Sequence, residues 1–472
     1  MGELLRRLME YADSDCLPMH MPGHKRRMGE MGNPYFIDLT EIEGFDDLHC
    51  ARGILQEAQK RAAELYHSEE THYLVNGSTA GILAAVSGCS SFGGKILMAR
   101  NCHKSAFHGA RLMGLHVEYI YPQFLEKMGI NGAVLAEDVD YLLKRYPDIQ
   151  CVLITSPTYD GVVSEVGKIA ETVHRYGIPL IVDEAHGAHF PFSDHFPMDS
   201  VSAGADVVIH SLHKTLPSLT QTALIHLNGR RIDPFRERIR DYLSVYQTSS
   251  PSYVLMASMD SCMDLVRESG EEFERFHERI QRLRERLRAM ECLKLLEVPG
   301  MDESRILVSA AGTGWSGQQL SKALRLEYRI ELEMACSTYV CAITTVADTE
   351  KALVRFGDAF LNLDRKLSVN RHAYGRQESG SDHRCRMAGA FRTRSVYTLL
   401  EAGERDQERV PVKEASGRIC GEFVIPYPPG IPLLAPGELV TEHMTEALCL
   451  YINDGSEVYG VREGQIAVIK NQ

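Results

Sequence analysis

The 472-residue sequence has no Cys-x-x-Cys pair, no excess of basic residues, and no apolar run near the roughly 20 residues a membrane-spanning helix needs. Each absence excludes something. The twelve cysteines, among them Cys16, Cys50, Cys89, Cys102 and Cys151, are scattered along the chain. That distribution fits reduced thiols buried as small hydrophobes better than disulfides or zinc ligands, and no metal is expected. The opening MGELLRRLMEYADSD lacks the apolar core of a secretory signal, so the expectation is a cytoplasmic protein with no membrane partner. Lysine and arginine total 51 against 64 aspartates and glutamates, a formal charge of −13. Nucleic-acid affinity rests mainly on cations neutralising phosphates, so a small-molecule partner is expected instead. There is no internal repeat.

What is present is a globular composition, 44% hydrophobic, in a chain long enough to bury a large core and divide into more than one lobe. Between about residues 70 and 230, short apolar runs alternate with amphipathic stretches. The runs are KILMA (95–99), HVEYIY (116–121), CVLITS (151–156), PLIVDEA (179–185), ADVVIH (205–210) and TALIHL (222–227). In SEVGKIAETVHRYG (164–177), Val166, Ile169, Ala170 and Val173 recur at helical spacing and Gly177 is a stop signal. Alternating strands and helices of this kind predict an α/β fold with a mostly parallel sheet.

Residues 270–291 read as a long charged amphipathic helix bridging two lobes, its charges a solvated face. RILVS (305–309), a helical GQQLSKALRLE (317–327), IELEMA (330–335), YVCAITT (339–345) and a helix from about Thr349 to Asp364 predict a small α+β lobe. The polar stretch 371–387 reads as a linker or exposed loop, and the Pro- and Gly-dense 417–438 as a rigid loop wall. The expected organisation is an N-terminal segment (1–45), a large ligand-binding domain (46–290), a small α+β domain (291–366) and a C-terminal lobe (367–472).

Polar residues cluster where the sheet strands end, and in open α/β sheets ligands bind beyond the carboxyl ends of the strands. In NGSTAG (76–81), glycine permits a tight turn, and Ser78, Thr79 and the free N–H groups of a helix start make an anion site or ordinary helix caps. Asp183 ends PLIVD, and a carboxylate at the end of a buried strand needs a cation or several donors. His186 follows it. In SLHK (211–214), Ser211 and His213 are donors suited to a phosphate, and Lys214 is an amine able to form a Schiff base if partly desolvated. His103, in RNCHKS (100–105), offers a planar ring for stacking or a surface hydrogen bond. A phosphate cradle, a stacking ring, a carboxylate for a pyridinium and a Schiff-base lysine are what a pyridoxal 5'-phosphate enzyme supplies to its cofactor.

The sequence resembles the Orn/Lys/Arg decarboxylases of the fold-type I, aspartate aminotransferase-like pyridoxal phosphate superfamily, in the short form without an N-terminal wing domain. The likeness runs through MPGHK (21–25), DDLH (46–49), NGSTAG, RNCHKS, SPTYDGVV (156–163), VDEAHGAH (182–189), SLHKTLPSLTQ (211–221), QTSSPSYVLMASMD (247–260) and YPPGIPLLAPGE (427–438). It implies that Lys214 links the cofactor, Asp183 pairs with its ring nitrogen, His103 stacks on the ring, and Ser78, Thr79, Ser211 and His213 hold the phosphate. His186 stands beside the cofactor, where some larger relatives have Trp. Thr248, Ser249 and Ser250 would reach the phosphate of a neighbouring subunit, implying a homodimer or higher homo-oligomer. The implied reaction is decarboxylation of arginine, lysine or ornithine.

A fold-type I aminotransferase or aldolase would share the cofactor residues, and an inactive regulatory homologue would share the fold. MPGHK and YPPGIPLLAPGE favour the decarboxylase, and the presence of Lys214 and Asp183 argues against loss of activity. The distal cation of a basic substrate needs a carboxylate in a partly dry site. Glu438 is the leading candidate for that role, with Asp46 and Asp47 behind it; the alternative is a structural Glu438 bonded to loop amides.

Overall fold

The computed structural model describes residues 3–27, 32–374, 392–426, 430–453 and 457–470. Its centre is a seven-stranded sheet of β1 (Glu70–Leu74), β2 (Lys95–Ala99), β3 (His116–Ile120), β4 (Ile149–Thr155), β5 (Leu180–Asp183), β6 (Val207–His210) and β7 (Ala223–Leu227). The spatial order is β1-β7-β6-β5-β4-β2-β3. Strands β2 to β6 pair in parallel, and β7 runs antiparallel to both β6 and β1. Every residue of β5, β6 and β7 is buried, as expected of strands covered on both faces. Among the helices are α1 (Gly77–Cys89), α2 (Lys104–Leu112), α3 (Val166–His174) and the one-turn α4 (Leu212–Thr215).

All six apolar runs form strands, but TALIHL does not join the parallel set. Residues 211–222 between β6 and β7 hold only α4. Without a full crossover helix the chain turns back and pairs antiparallel. The edge strand β1 left no apolar signature because Glu70, Thr71 and His72 are polar. Its Thr71 is nevertheless buried, with Oγ1 2.8 Å from His226 Nδ1 on β7.

The predicted charged helix is α5 (Gly270–Arg288), which buries Phe273, Phe276, Ile280, Leu283 and Leu287. One of its charges is not solvated: Arg284 is buried and donates to Glu297 Oε1 at 2.9 Å. A four-stranded antiparallel sheet follows, made of β8 (Lys294–Leu295), β9 (Arg305–Ser309), β10 (Met334–Ala335) and β11 (Tyr339–Ile343) in the order β8-β9-β11-β10. The last helix of this lobe, α6, extends over Glu350–Tyr374, well past the predicted end at Asp364. The run IELEMA is broken at Glu333, and its first half, Ile330–Leu332, pairs in parallel with Leu17–Met19 of the N-terminal segment.

Of the polar stretch 371–387, residues 375 onward lie outside the described residues, as do Tyr427, Pro428 and Pro429 of YPPGIPLLAPGE. The described C-terminal part has its own core of Val412, Val424, Leu434, Val440, Met444, Leu448, Ile466 and Val468. Among the described residues no helix is long and apolar enough to cross a membrane.

Candidate active site

Parallel pairing fixes where the polar ends meet. Asp183, the last residue of β5, is in register with Ile209 of β6 and with Thr155 of β4. One residue past β6, Ser211 opens α4, which carries His213 and Lys214. The N-terminal MPGHK motif braces this short helix. Gly23 N donates to His213 O at 2.7 Å, and a Cβ on Gly23 would lie 2.6 Å from Leu216 O. Only glycine permits that backbone contact. Lys25 of the same motif is buried and donates to the carbonyls of Pro18, His20 and Ile343.

Lys214 Nζ lies 3.0 Å from His186 Nε2, and His186 Nδ1 lies 2.7 Å from Arg305 Nη2 at the start of β9. The His186 ring stands edge-on to Tyr159 at 4.9 Å between centroids. Burial pushes the Lys214 ammonium below its ordinary pKa; Asp183 opposes this and Arg305 reinforces it. Burial, then the charges of Lys214 and Arg305, hold the His186 imidazole well below its usual range. Asp183 is buried and its carboxyl is raised by desolvation against the pull of Lys214, with Oδ1 accepting from Ala185 N at 3.1 Å. His103 caps α2, where its ring accepts from Ser105 N. Burial and then Lys214 push it down to about 3, so the ring is neutral and close enough to feel the lysine's charge.

His213 Nδ1 donates to Thr222 O at 3.0 Å, and burial holds its pKa at about 4. Because β1 and β7 pair Leu74 with Ala223, the start of α1 lies beside residues 221–222, and Gln221 Nε2 donates to Val75 O. Ser78 and Thr79 sit in the first turn of α1, whose preceding Asn76 makes no side-chain cap. Thr248 N donates to that Asn76 Oδ1 at 3.3 Å, and Thr248, Ser249 and Ser250 are exposed.

Three acids are placed elsewhere. Glu438 is 0% exposed, with Oε2 2.9 Å from Arg100 Nη2 and 2.8 Å from Ala435 N. Oε2 is thus paired inside the chain, which favours the structural alternative, while Oε1 is buried with no hydrogen-bond partner among the described residues. Asp46 accepts from the N–H groups of Asp47, Arg52, Gly53 and Leu55, and Asp47 caps the turn Leu48–Cys50 through His49 N. Both bond backbone N–H groups of their own loop. Among the described residues no cluster of His, Cys, Asp and Glu is arranged to hold a metal ion.

Residues 3–321 match the family described as Orn/Lys/Arg decarboxylase, major domain, and residues 389–458 match its C-terminal domain. The chain belongs to the Orn/Lys/Arg decarboxylase family. That makes it an amino acid decarboxylase. The arginine decarboxylase of Bacillus subtilis strain 168 is 31% identical over 98% of this chain and 97% of its own length. The arginine decarboxylase of Bacillus anthracis is 29% identical over 99% and 96%. Among solved structures, the E. coli constitutive lysine decarboxylase superposes with a TM-score of 0.78 at 18% identity, over all of this chain and 82% of that one. A Sphingomonas wittichii serine palmitoyltransferase shares the fold over 66% of this chain and 77% of that one, with a TM-score of 0.53 at 18% identity.

Sequence reasoning missed three residues of this candidate site. Arg305 is 0% exposed, and its Nε and Nη1 have no hydrogen-bond partner among the described residues. Glu333, whose charge acts on Lys214, accepts from Tyr159 Oη at 2.5 Å and from Met21 N at 3.0 Å. The available signals were a charge opening the apolar run RILVS and a charge breaking the run IELEMA. Tyr159 lay inside a quoted motif, SPTYDGVV, with no role assigned.

Proposed function

We propose that the protein is a pyridoxal 5'-phosphate-dependent decarboxylase that releases CO2 and the corresponding amine from a basic amino acid. Arginine comes first among arginine, lysine and ornithine, because the relatives matching along nearly their full length at 29–31% identity are named arginine decarboxylase. The observation that carries the reading is the convergence of Lys214, Asp183 and His186 at the carboxyl ends of the central strands β5 and β6, beside polar atoms that lack partners among the described residues. Among the described residues Ser211 Oγ is buried without a hydrogen bond, as are Arg305 Nε and Nη1. Buried polar atoms are nearly always satisfied, so this site suits an anionic, polar cofactor.

When bound, the cofactor supplies an electron sink for the pair released as the bond from Cα to the carboxylate breaks. The chain supplies the rest. Lys214 offers the amine that links the cofactor and gives it up to the incoming amino group. Asp183, raised toward neutrality by burial, would be returned to its charged form by a pyridinium nitrogen, and each would hold the other ionised. His103 would cover the ring, and Ser78, Thr79, Ser211 and His213 would hold the phosphate, with neutral His213 gaining a proton as the anion arrives. Such fixed charges act where charge develops, the usual source of the largest rate gains.

We further propose that the chain works as a homodimer in which exposed Thr248, Ser249 and Ser250 contribute to the partner's phosphate site. The reaction belongs in the cytoplasm, a reading supported by the free thiols of all eleven described cysteines. The test is direct. Purified protein is expected to be yellow, borohydride to fix the cofactor on the Lys214 peptide, and CO2 to be released from one of the three amino acids. Label on another lysine, or no CO2 from any of them, overturns the reading.

A further inference from the structure

Arg305 Nη2, His186 and Lys214 Nζ form one line, with contacts of 2.7 Å and 3.0 Å on the two ring nitrogens. A count of protons along it has a single solution. A guanidinium carries donors only and keeps its charge in proteins, so His186 Nδ1 must accept. A neutral imidazole that accepts at Nδ1 has its hydrogen on Nε2, and here that N–H is aimed at Lys214. An ammonium has three donors and no lone pair, so it would set N–H against N–H. A neutral amine closes the line. We infer that Arg305 is a positioning residue which, by fixing one tautomer of His186, holds Lys214 as a free amine before the cofactor arrives.

The surroundings of Lys214 are mixed in sign, so the tautomer matters. Asp183 on β5 and Glu333 beside β10 favour an ammonium, while burial and Arg305 on β9 oppose it. His103 on α2 and His213 on α4 are both held low by burial and add no opposing charge. Arg305 is itself fixed in place, because Gly161 lies so close that a Cβ there would meet its Cγ at 2.7 Å.

The purpose of the device rests on the reading of Lys214 as the cofactor-linking lysine; the proton count does not. A free amine adds its lone pair to an aldehyde carbon. The C–N bond forms, and the carbonyl oxygen leaves as water with the two Nζ hydrogens, with no redox change. An ammonium has no pair to donate.

The test uses the cofactor-free full chain and trace acetic anhydride as the probe, from pH 5 to 10. The amine displaces acetate, and mass spectrometry follows the Lys214 peptide. Half-maximal labelling is expected at least one unit below the roughly 10.4 of an unperturbed lysine. A midpoint at the ordinary value overturns the inference. Arg305→Lys keeps a donor and a charge and should retain the low midpoint, whereas Arg305→Met should raise it by a unit or more; an unchanged Arg305→Met midpoint also overturns it. Should Arg305→Met fail to fold, 15N spectra of wild-type histidines, with His186 assigned from His186→Gln, still decide. A bare Nδ1 and a protonated Nε2 support the inference, and the reverse tautomer ends it. Acetylation needs no cofactor, so failure here is distinct from borohydride label landing on another lysine.

Discussion

Arg100 Nη2 donates to Glu438 Oε2 across 2.9 Å, with both side chains nine-tenths or more buried. The same guanidinium donates to Pro432 O and Leu433 O. It thereby ties the loop that carries His103 to the C-terminal part of the chain. Breaking a buried pair by removing one partner leaves an uncompensated charge and costs about 3–5 kcal/mol. Glu438→Gln is therefore expected to lower the unfolding free energy read from urea titration by that amount, and Arg100→Met with Glu438→Leu to recover much of it. If Glu438→Gln instead lowers kcat/KM at unchanged stability, the residue faces substrate after all.

Asp183→Asn tests the charge at the end of β5. Asn keeps an oxygen to accept from Ala185 N, so folding is expected to survive. Removal of the carboxylate takes away the counter-charge for a ring nitrogen, and kcat is expected to fall about 10²–10³-fold with cofactor content near normal. Turnover close to wild type would show that the ring is not governed by Asp183.

Gly23→Ala probes the brace behind Lys214. The new methyl would enter at 2.6 Å from Leu216 O, so either the MPGHK loop or α4 must move. Overpacking of this kind costs about 1–3 kcal/mol. Borohydride-fixed cofactor on Lys214 is expected to fall more than the secondary structure measured by circular dichroism. Equal cofactor loading in the two proteins would show that the loop yields and α4 does not.

Acid should unfold the cofactor-free protein early. Burial holds His103 at about 3 and both His210 and His213 at about 4, against about 6.5 in an unfolded chain. Their folded pKa values are depressed, so between about pH 6.5 and 4 these three side chains bind more protons in the unfolded chain, and their contribution to stability falls as pH drops through that window; buried Asp160, raised to about 6, acts in the opposite sense. Each histidine contributes roughly 2 kcal/mol between pH 7 and 5. Urea midpoints measured at the two pH values check this, and equal midpoints would mean the rings take up protons in the fold.

The parallel strands were legible because an apolar run bounded by polar residues is a local pattern. For the same reason Asp183, Ser211 and Lys214 stood out as polar groups at the ends of buried runs. Strand β1 was not legible, since its polar Thr71 is buried against β7, where it meets His226 across 155 positions. The direction of β7 depended on the short α4 connection, which an apolar count does not register.

Arg305, Glu333 and Glu438 mark the boundary between the two kinds of information. The sequence by itself determined the α/β order, the strand-end positions of Asp183 and Lys214, and the family, because periodicity and motif spacing are carried by neighbouring residues. Only the tertiary structure decided that Arg305 meets His186 across 119 positions and that Glu438 meets Arg100 across 338. A buried charge takes its role from the group packed opposite it, and that partner is chosen by how the lobes close, which no local pattern encodes.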